Sequence, residues 1–344
     1  MYSFTNDYSE GAHPRILEAL METNLTQHTG YGMDEEHCGH ARELIRREIG
    51  RPDASVHFLV GGTQANLTVI AAALKPWEAV ICASTGHINV HETGAVEATG
   101  HKVLTLPDPD GKVTPAMVLE ILDSHPDEHM VKPKMVYISN TTEIGTQYTK
   151  AELEALSHLC RQRGLYLFLD GARLGAALAS SANDLTLADI AALTDVFYIG
   201  GTKNGALFGE AVVILNPQID QDFRHMIKQR GGMLAKGRLL GLQFLALLGD
   251  GSPDAPYFAM AARADAQARR IADAFTARGC RMRYDSPTNQ QFPILPAAWA
   301  RALAERYAYS PMGACEGGEL VRFCTSWATR DEDVDALVAD IAAL

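Results

Sequence analysis

Three short stretches place reactive side chains directly after apolar runs. In FYIGGTKNGALFGEAVVIL (Phe197–Leu215), Lys203 follows such a run and a Gly-Gly-Thr turn, and a second apolar run begins close behind. An amine held among apolar strands is disfavoured as an ammonium, which makes it a nucleophile able to form a Schiff base. The plainer reading is a lysine snorkelling from a strand end into water. The other eight lysines sit in loops, at strand starts or on helices. In LYLFLDGARLG, Asp170 ends a buried run, where a carboxylate is costly without a cation or hydrogen-bond donors, and Arg173 is the cation at hand. In VHFLVGGTQANL, Gly61, Gly62 and Thr63 stand between a strand and a helix. Unshielded N–H groups at a helix start favour an anion such as phosphate. The stretch matches neither GxGxxG nor GxxxxGK[ST], which argues against dinucleotides and Walker-type NTPases.

Each stretch alone has a structural explanation, but the combination is more specific. A phosphate cradle, a carboxylate and a Schiff-base lysine on successive strand ends meet the needs of pyridoxal 5'-phosphate: an anchor, a partner for the pyridine nitrogen and a covalent link.

The elements that position these residues read as alternating strands and helices. VHFLV, AVICA, KVLTL, KMVYIS, LYLFLD and DVFYIG read as buried strands, with helical patterns between most of them. One helix opens on Thr149 with Glu152 three residues on, a capping box. The alternation implies an α/β fold with a mainly parallel sheet sandwiched by helices. GEAVVIL follows DVFYIG too closely for a crossover helix, so that pair is expected antiparallel. GDGSPDAP (Gly249–Pro256) reads as a boundary, followed by a long helix, strands at CRMRY, QQFPIL and GELVRFCTS, and a final helix from about Asp331. The expected division is an N-terminal segment 1–30, a large domain 31–250 and a small C-terminal domain 251–344.

The chain has 344 residues and a formal net charge of -12. That balance disfavours nucleic acid or an anionic membrane as partner. Its basic clusters are short, as in RELIRRE, and mixed in sign. There is no targeting segment at the start and no membrane-length apolar run, so a cytoplasmic protein is expected. Six scattered cysteines without a CxxC read as reduced thiols. His87 and His91 share a helix face beside Glu92, but the spacing is neither HExxH nor HxxEH, and no metal is expected.

The sequence resembles the low-specificity L-threonine aldolases over nearly its whole length. DGAR, GTQANL, GHINVHETG and VRFCTS look like that family's motifs, and TKNG around the lysine looks like the branch that includes phenylserine aldolases. The resemblance implies the aspartate-aminotransferase-like fold type I, with a mainly parallel seven-stranded sheet in the large domain and a small C-terminal α/β domain. It implies retro-aldol cleavage of L-threonine, L-allo-threonine or a related β-hydroxy-α-amino acid to glycine and an aldehyde. It also implies a homodimer or homotetramer with shared active sites.

Carried over by resemblance, Lys203 forms the Schiff base, Asp170 partners the pyridine nitrogen, His87 stacks on the ring, and Gly62 and Thr63 hold the phosphate. Arg173, beside the cofactor, and Arg322 clamp the substrate carboxylate, with Asn6 where the family usually has serine. His129 falls on the histidine that approaches the substrate hydroxyl, and Tyr31 on a tyrosine near the active site. Lys236 or Arg230 reaches the neighbouring subunit's phosphate. SNTTE, with Asn140 and Glu143, replaces a commoner ENTHN and alters which aldehyde fits. The alternatives are phenylserine cleavage, another reaction of the same cofactor such as β-elimination or transamination, and a non-catalytic binding protein on the same scaffold.

Overall fold

The computed structural model describes residues 1–252 and 254–344; Pro253, inside the expected boundary stretch, lies outside the described residues. The chain opens on a two-residue strand, β1 (Tyr2–Ser3). It then builds β2 (Ser55–Leu59), β3 (Glu78–Ala83), β4 (Lys102–Leu106), β5 (Lys132–Ser139), β6 (Tyr166–Asp170), β7 (Val196–Gly200) and β8 (Glu210–Ile214). These last seven form one sheet in the order β2-β8-β7-β6-β5-β3-β4. β8 runs antiparallel to β7, as the short link predicts, and also to β2, and the other pairs are parallel.

Both faces of this sheet are covered, which is why its strands read as unbroken apolar runs. Val136, Ile138, Phe197, Ile199, Ala211 and Val213 belong to one core. Their alternates Met135, Tyr137, Phe168, Val196, Tyr198 and Val212 belong to another. Helix Gly62–Ala73 buries Ala65, Val69 and Ile70 in the second core. Helix Lys150–Arg163 buries Leu153 and Leu156 in the first. That helix has the predicted capping box, and ends at Gly164 in the left-handed region at φ 63°.

The parallel direction brings the carboxyl ends of β2, β3, β5, β6 and β7 to one edge. There the turns after β6 and β7 touch: the N–H of Gly200 donates to the carbonyl of Gly171 at 3.0 Å. A Cβ on Gly171 would lie 1.8 Å from the carbonyl oxygen of Tyr198. Gly171→Ala therefore pushes β6 from β7, and we expect about 1–3 kcal/mol of lost stability in urea unfolding, with weakened cofactor uptake.

A third core gathers Phe4, Ile271, Phe275, Leu295, Val321, Phe323 and Leu337. Its strands are β9 (Gln290–Gln291), β10 (Ile294–Leu295), β11 (Tyr307–Ala308), β12 (Ser310–Cys315) and β13 (Gly318–Cys324). β10, β13 and β12 lie side by side, with β9 also on β13. β1 pairs in parallel with β11, so the N-terminus is fastened here and Thr5–Asp7 run on from it. CRMRY is not the strand expected: only Met282 bridges, to Pro293. Among the described residues no helix is long and apolar enough to cross a membrane.

Candidate active site

Asp170 closes β6 and is almost fully buried. Its Oδ2 accepts from the Tyr137 hydroxyl and from Asn66 Nδ2 at 3.1 Å, and its Oδ1 accepts from the Ala172 N–H at 2.9 Å. Burial alone would raise its pKa, but the bonds led by Tyr137 outweigh it and hold the carboxyl below its ordinary value. The group is thus a carboxylate kept ionised inside the protein.

Asn66 links it to a second acid. The same Nδ2 donates to Glu92 Oε1 at 2.7 Å, and Glu92 Oε1 pairs with His87 Nδ1 at 2.7 Å. Glu92 is buried, so the imidazole is oriented from beneath. Burial opposes protonation of His87, yet Glu92, Glu143 and Asp170 raise its pKa above the ordinary value. His91 follows one turn on, its ring centroid 5.5 Å from that of His87.

Lys203 is half-buried on the turn after β7. Both neighbours are anchored: Thr202 Oγ1 donates to Glu210 Oε1 at 2.9 Å, and Asn204 Nδ2 donates to the Tyr257 carbonyl at 2.7 Å. Gly205 turns the chain at φ 92°. The surroundings are less apolar than the sequence suggests, because Lys203 acts on the buried carboxyls of Asp7 and Glu210. Burial pushes Glu210 up to about 8. Lys203 lines one small cavity with Asp7, Arg173, Asn204, Asn289 and Trp327.

Arg173 is buried and held by Asp7 through two bonds, Nε to Oδ2 at 2.7 Å and Nη2 to Oδ1 at 3.1 Å. Asn289 also donates to Asp7, at 2.9 Å. Burial works against ionisation of Asp7, but Arg173 and then Lys203 bring its pKa down to about 2. Arg322 on β13 donates from Nη2 to the Thr5 carbonyl at 2.9 Å and from Nη1 to Gln290 at 3.2 Å, while its buried Nε has no partner. The segment Thr5–Asp7 thus bridges the two guanidiniums. Asn6 between them turns its side chain to its own loop, accepting from Tyr8 N–H and Ser9 Oγ. The charges of Asp7, Arg173, Arg322 and Lys203 all bear on buried Cys324.

Two expected residues are not brought to this cluster within one chain. His129 is exposed, paired with Asp127 at 3.2 Å, and precedes β5 at its amino end. The cluster lies at the carboxyl end, eight strand residues away, about 26 Å at ~3.3 Å per residue. Tyr31 is exposed, bonds through its N–H to the Ala235 carbonyl, and lies under Lys228 Nζ at 4.8 Å. It belongs with the loop of Arg230 and Lys236. Sequence reasoning missed Asp7, Asn66, Glu92 and Tyr137 as partners. GHINVHETG held a signal for Glu92, and the carboxylate directly after Asn6 held one for Asp7. The described residues hold one possible metal-ligand grouping elsewhere, His28, Glu36 and His37, with ligand atoms within 4.8 Å of one another.

Comparison with known proteins agrees with this geometry. Residues 10–298 match the family model for beta-eliminating lyases. The chain is 33% identical over 343 residues to the low specificity L-threonine aldolase of Pseudomonas aeruginosa, covering 98% of this chain and 96% of the relative. A solved threonine aldolase of Leishmania major is 50% identical, covers 100% of this chain, is itself covered to 99%, and superposes with a TM-score of 0.97. An aspartate aminotransferase of Thermus thermophilus, 19% identical with a TM-score of 0.73 over 100% of this chain and 91% of the other, shares the fold. The full-length match, reached over the same strand ends that carry Asp170 and Lys203, shows that the chain belongs to the beta-eliminating lyase family, among the low specificity L-threonine aldolases.

Proposed function

We propose that the protein is a pyridoxal-phosphate-dependent lyase that cleaves L-threonine, L-allo-threonine or a related β-hydroxy-α-amino acid to glycine and an aldehyde. One observation carries this: an ionised, buried Asp170 and the anchored Lys203 turn share one sheet edge, joined by the Gly200–Gly171 bond. The residues present fit the cofactor. A Cβ on Gly62 would meet the Tyr198 hydroxyl at 3.0 Å, so glycine lets the helix start pack close against the buried end of β7. Ser139 Oγ and Asn140 Nδ2 at the same edge are buried without protein partners.

Pyridoxal phosphate, when bound, supplies an electron sink for the pair released at Cα. Gly62, Thr63 and the start of helix Gly62–Ala73 hold its phosphate, and Lys203 provides the covalent link. Asp170 keeps a proton on the pyridine nitrogen, and His87, fixed by Glu92, packs on the ring. Arg173, through the nitrogen Asp7 leaves unbonded, and Arg322 hold the substrate carboxylate, which fixes the torsion about the bond to be broken.

The proposal extends to a cytoplasmic homodimer or homotetramer. Six free cysteines support a reducing compartment. The third core supports a separate small domain in the 31–250 and 251–344 division, although Phe4, from the segment 1–30, packs into it.

The test is product analysis with L-threonine, L-allo-threonine and L-phenylserine. Acetaldehyde or benzaldehyde with an equal amount of glycine supports the reading. Pyruvate with ammonia, or a pyridoxamine product, assigns a different bond and overturns it.

A further inference from the structure

We propose that His91 takes the proton from the β-hydroxyl of the substrate as the carbon-carbon bond breaks, an inference that rests on the aldolase reading above. GHINVHETG supplies two imidazoles one turn apart, and the structure gives them different surroundings. His87 is bound at Nδ1 by buried Glu92, which is itself held by Asn66. An imidazole so engaged is an orienting and stacking group. The ring of His91 makes no hydrogen bond among the described residues, is exposed, and stands 5.5 Å from His87 with planes inclined at 55°.

The charges that bear on His91 are those of Glu143, His87, Arg322 and Lys203. They come from three other parts of the site besides its own turn: the segment after β5, strand β13 and the turn after β7. A ring that feels all of these, 5.5 Å from the His87 ring, is within electrostatic reach of the carboxylate clamp and the lysine. Burial lowers its pKa first, Glu143 opposes, and His87, Arg322 and Lys203 add to the lowering. The neutral, accepting form therefore prevails at neutral pH, whereas His87 is driven the other way. Two neighbouring groups pushed apart in this manner mark a division of acid and base roles. His129, the residue that resemblance offers for this step, is not available from the same chain.

The step balances without any oxidant. A ring nitrogen of His91 accepts the hydroxyl proton while the O–H pair becomes the second bond of the aldehyde carbonyl. The Cα–Cβ bond breaks and its pair stays with Cα. Cα then takes up a proton to leave as glycine, and His91 returns its own proton to solvent.

The experiment compares two reactions of the cofactor-loaded protein in wild type, His91→Phe and His91→Asn. One is cleavage of L-threonine, L-allo-threonine and L-phenylserine. The other is exchange of the α-proton of glycine in D2O, which uses Lys203, Asp170 and the carboxylate clamp but no hydroxyl. We expect cleavage to fall about 10²–10⁴-fold, the usual worth of a positioned base, while glycine exchange is retained. The acid limb of the wild-type cleavage profile, which falls as His91 protonates below the ordinary imidazole value, disappears in both variants. Unchanged cleavage with an unchanged profile, or equal loss of both reactions, overturns the role. A wild type that exchanges glycine but cleaves none of the three substrates overturns the aldolase reading, and His91 with it.

Discussion

Lys203→Ala folds, yet releases no measurable aldehyde and shows no absorbance band of covalently linked cofactor. The fold survives because Lys203 closes no ion pair or hydrogen bond among the described residues. Its turn is held by Thr202 on Glu210 and by Asn204 on the Tyr257 carbonyl. The loss is large because one amine has two tasks, the covalent link and the proton traffic at Cα, and proton transfer alone is worth about 10²–10⁴-fold. Arginine at the same place keeps the charge beside Asp7 but has no nucleophilic amine, so Lys203→Arg should be equally inactive. Aldehyde release at wild-type rate by either variant would refute the assignment of Lys203.

Legibility from sequence followed burial. β5, β6, β7 and β8 were readable because they lie deep in a covered sheet, and the β7–β8 link betrayed their opposite directions by its length alone. β12 gave no signal: five of the six residues of SPMGAC are exposed, and an exposed edge needs no apolar alternation. CRMRY alternates like a strand, but only Met282 forms even a bridge. The functional turns were legible where glycines and a charge follow an apolar run. The partners were not: Asn66 reaches Asp170 across 104 positions and Asp7 reaches Arg173 across 166. No local pattern encodes such pairings. His129 shows the opposite case: within one chain the parallel strand direction puts it at the far edge from the cluster.

Asp7 and Asp170 answer to different neighbours, yet the outcome in pH is the same. Asp7 is held down by Arg173, and Asp170 by donors led by Tyr137. Both lie below the ordinary carboxyl value, so both stay charged wherever the protein is assayed near neutrality. Neither therefore gives an acid limb close to neutral pH; Glu210, which burial pushes up to about 8, and the imidazoles are the groups placed to do so, and loss of the limb in the His91 variants tells them apart.

Asp170→Asn should cost at least about 10²-fold in kcat, the scale for removing one preorganised electrostatic partner, at every pH above 5. The substitution keeps the shape and removes the charge that holds a proton on the cofactor nitrogen. It also sets donor against donor. With the amide oxygen toward Tyr137 and Asn66, the new NH2 faces the Ala172 N–H; flipped, it faces Asn66 Nδ2. Either way one buried donor loses its acceptor, at about 1–3 kcal/mol. Cofactor content and urea unfolding, measured with kcat, separate that structural cost from the catalytic one. Because the carboxyl of Asp170 is depressed, its charge is lost only as pH falls through a value below 3.8. The ratio of wild-type to variant kcat should thus stay constant from pH 5 to 9. A ratio that shrinks toward one below pH 6 would mean that Asp170 protonates there, and the hydrogen-bonded, ionised carboxylate at the centre of this site would have to be abandoned.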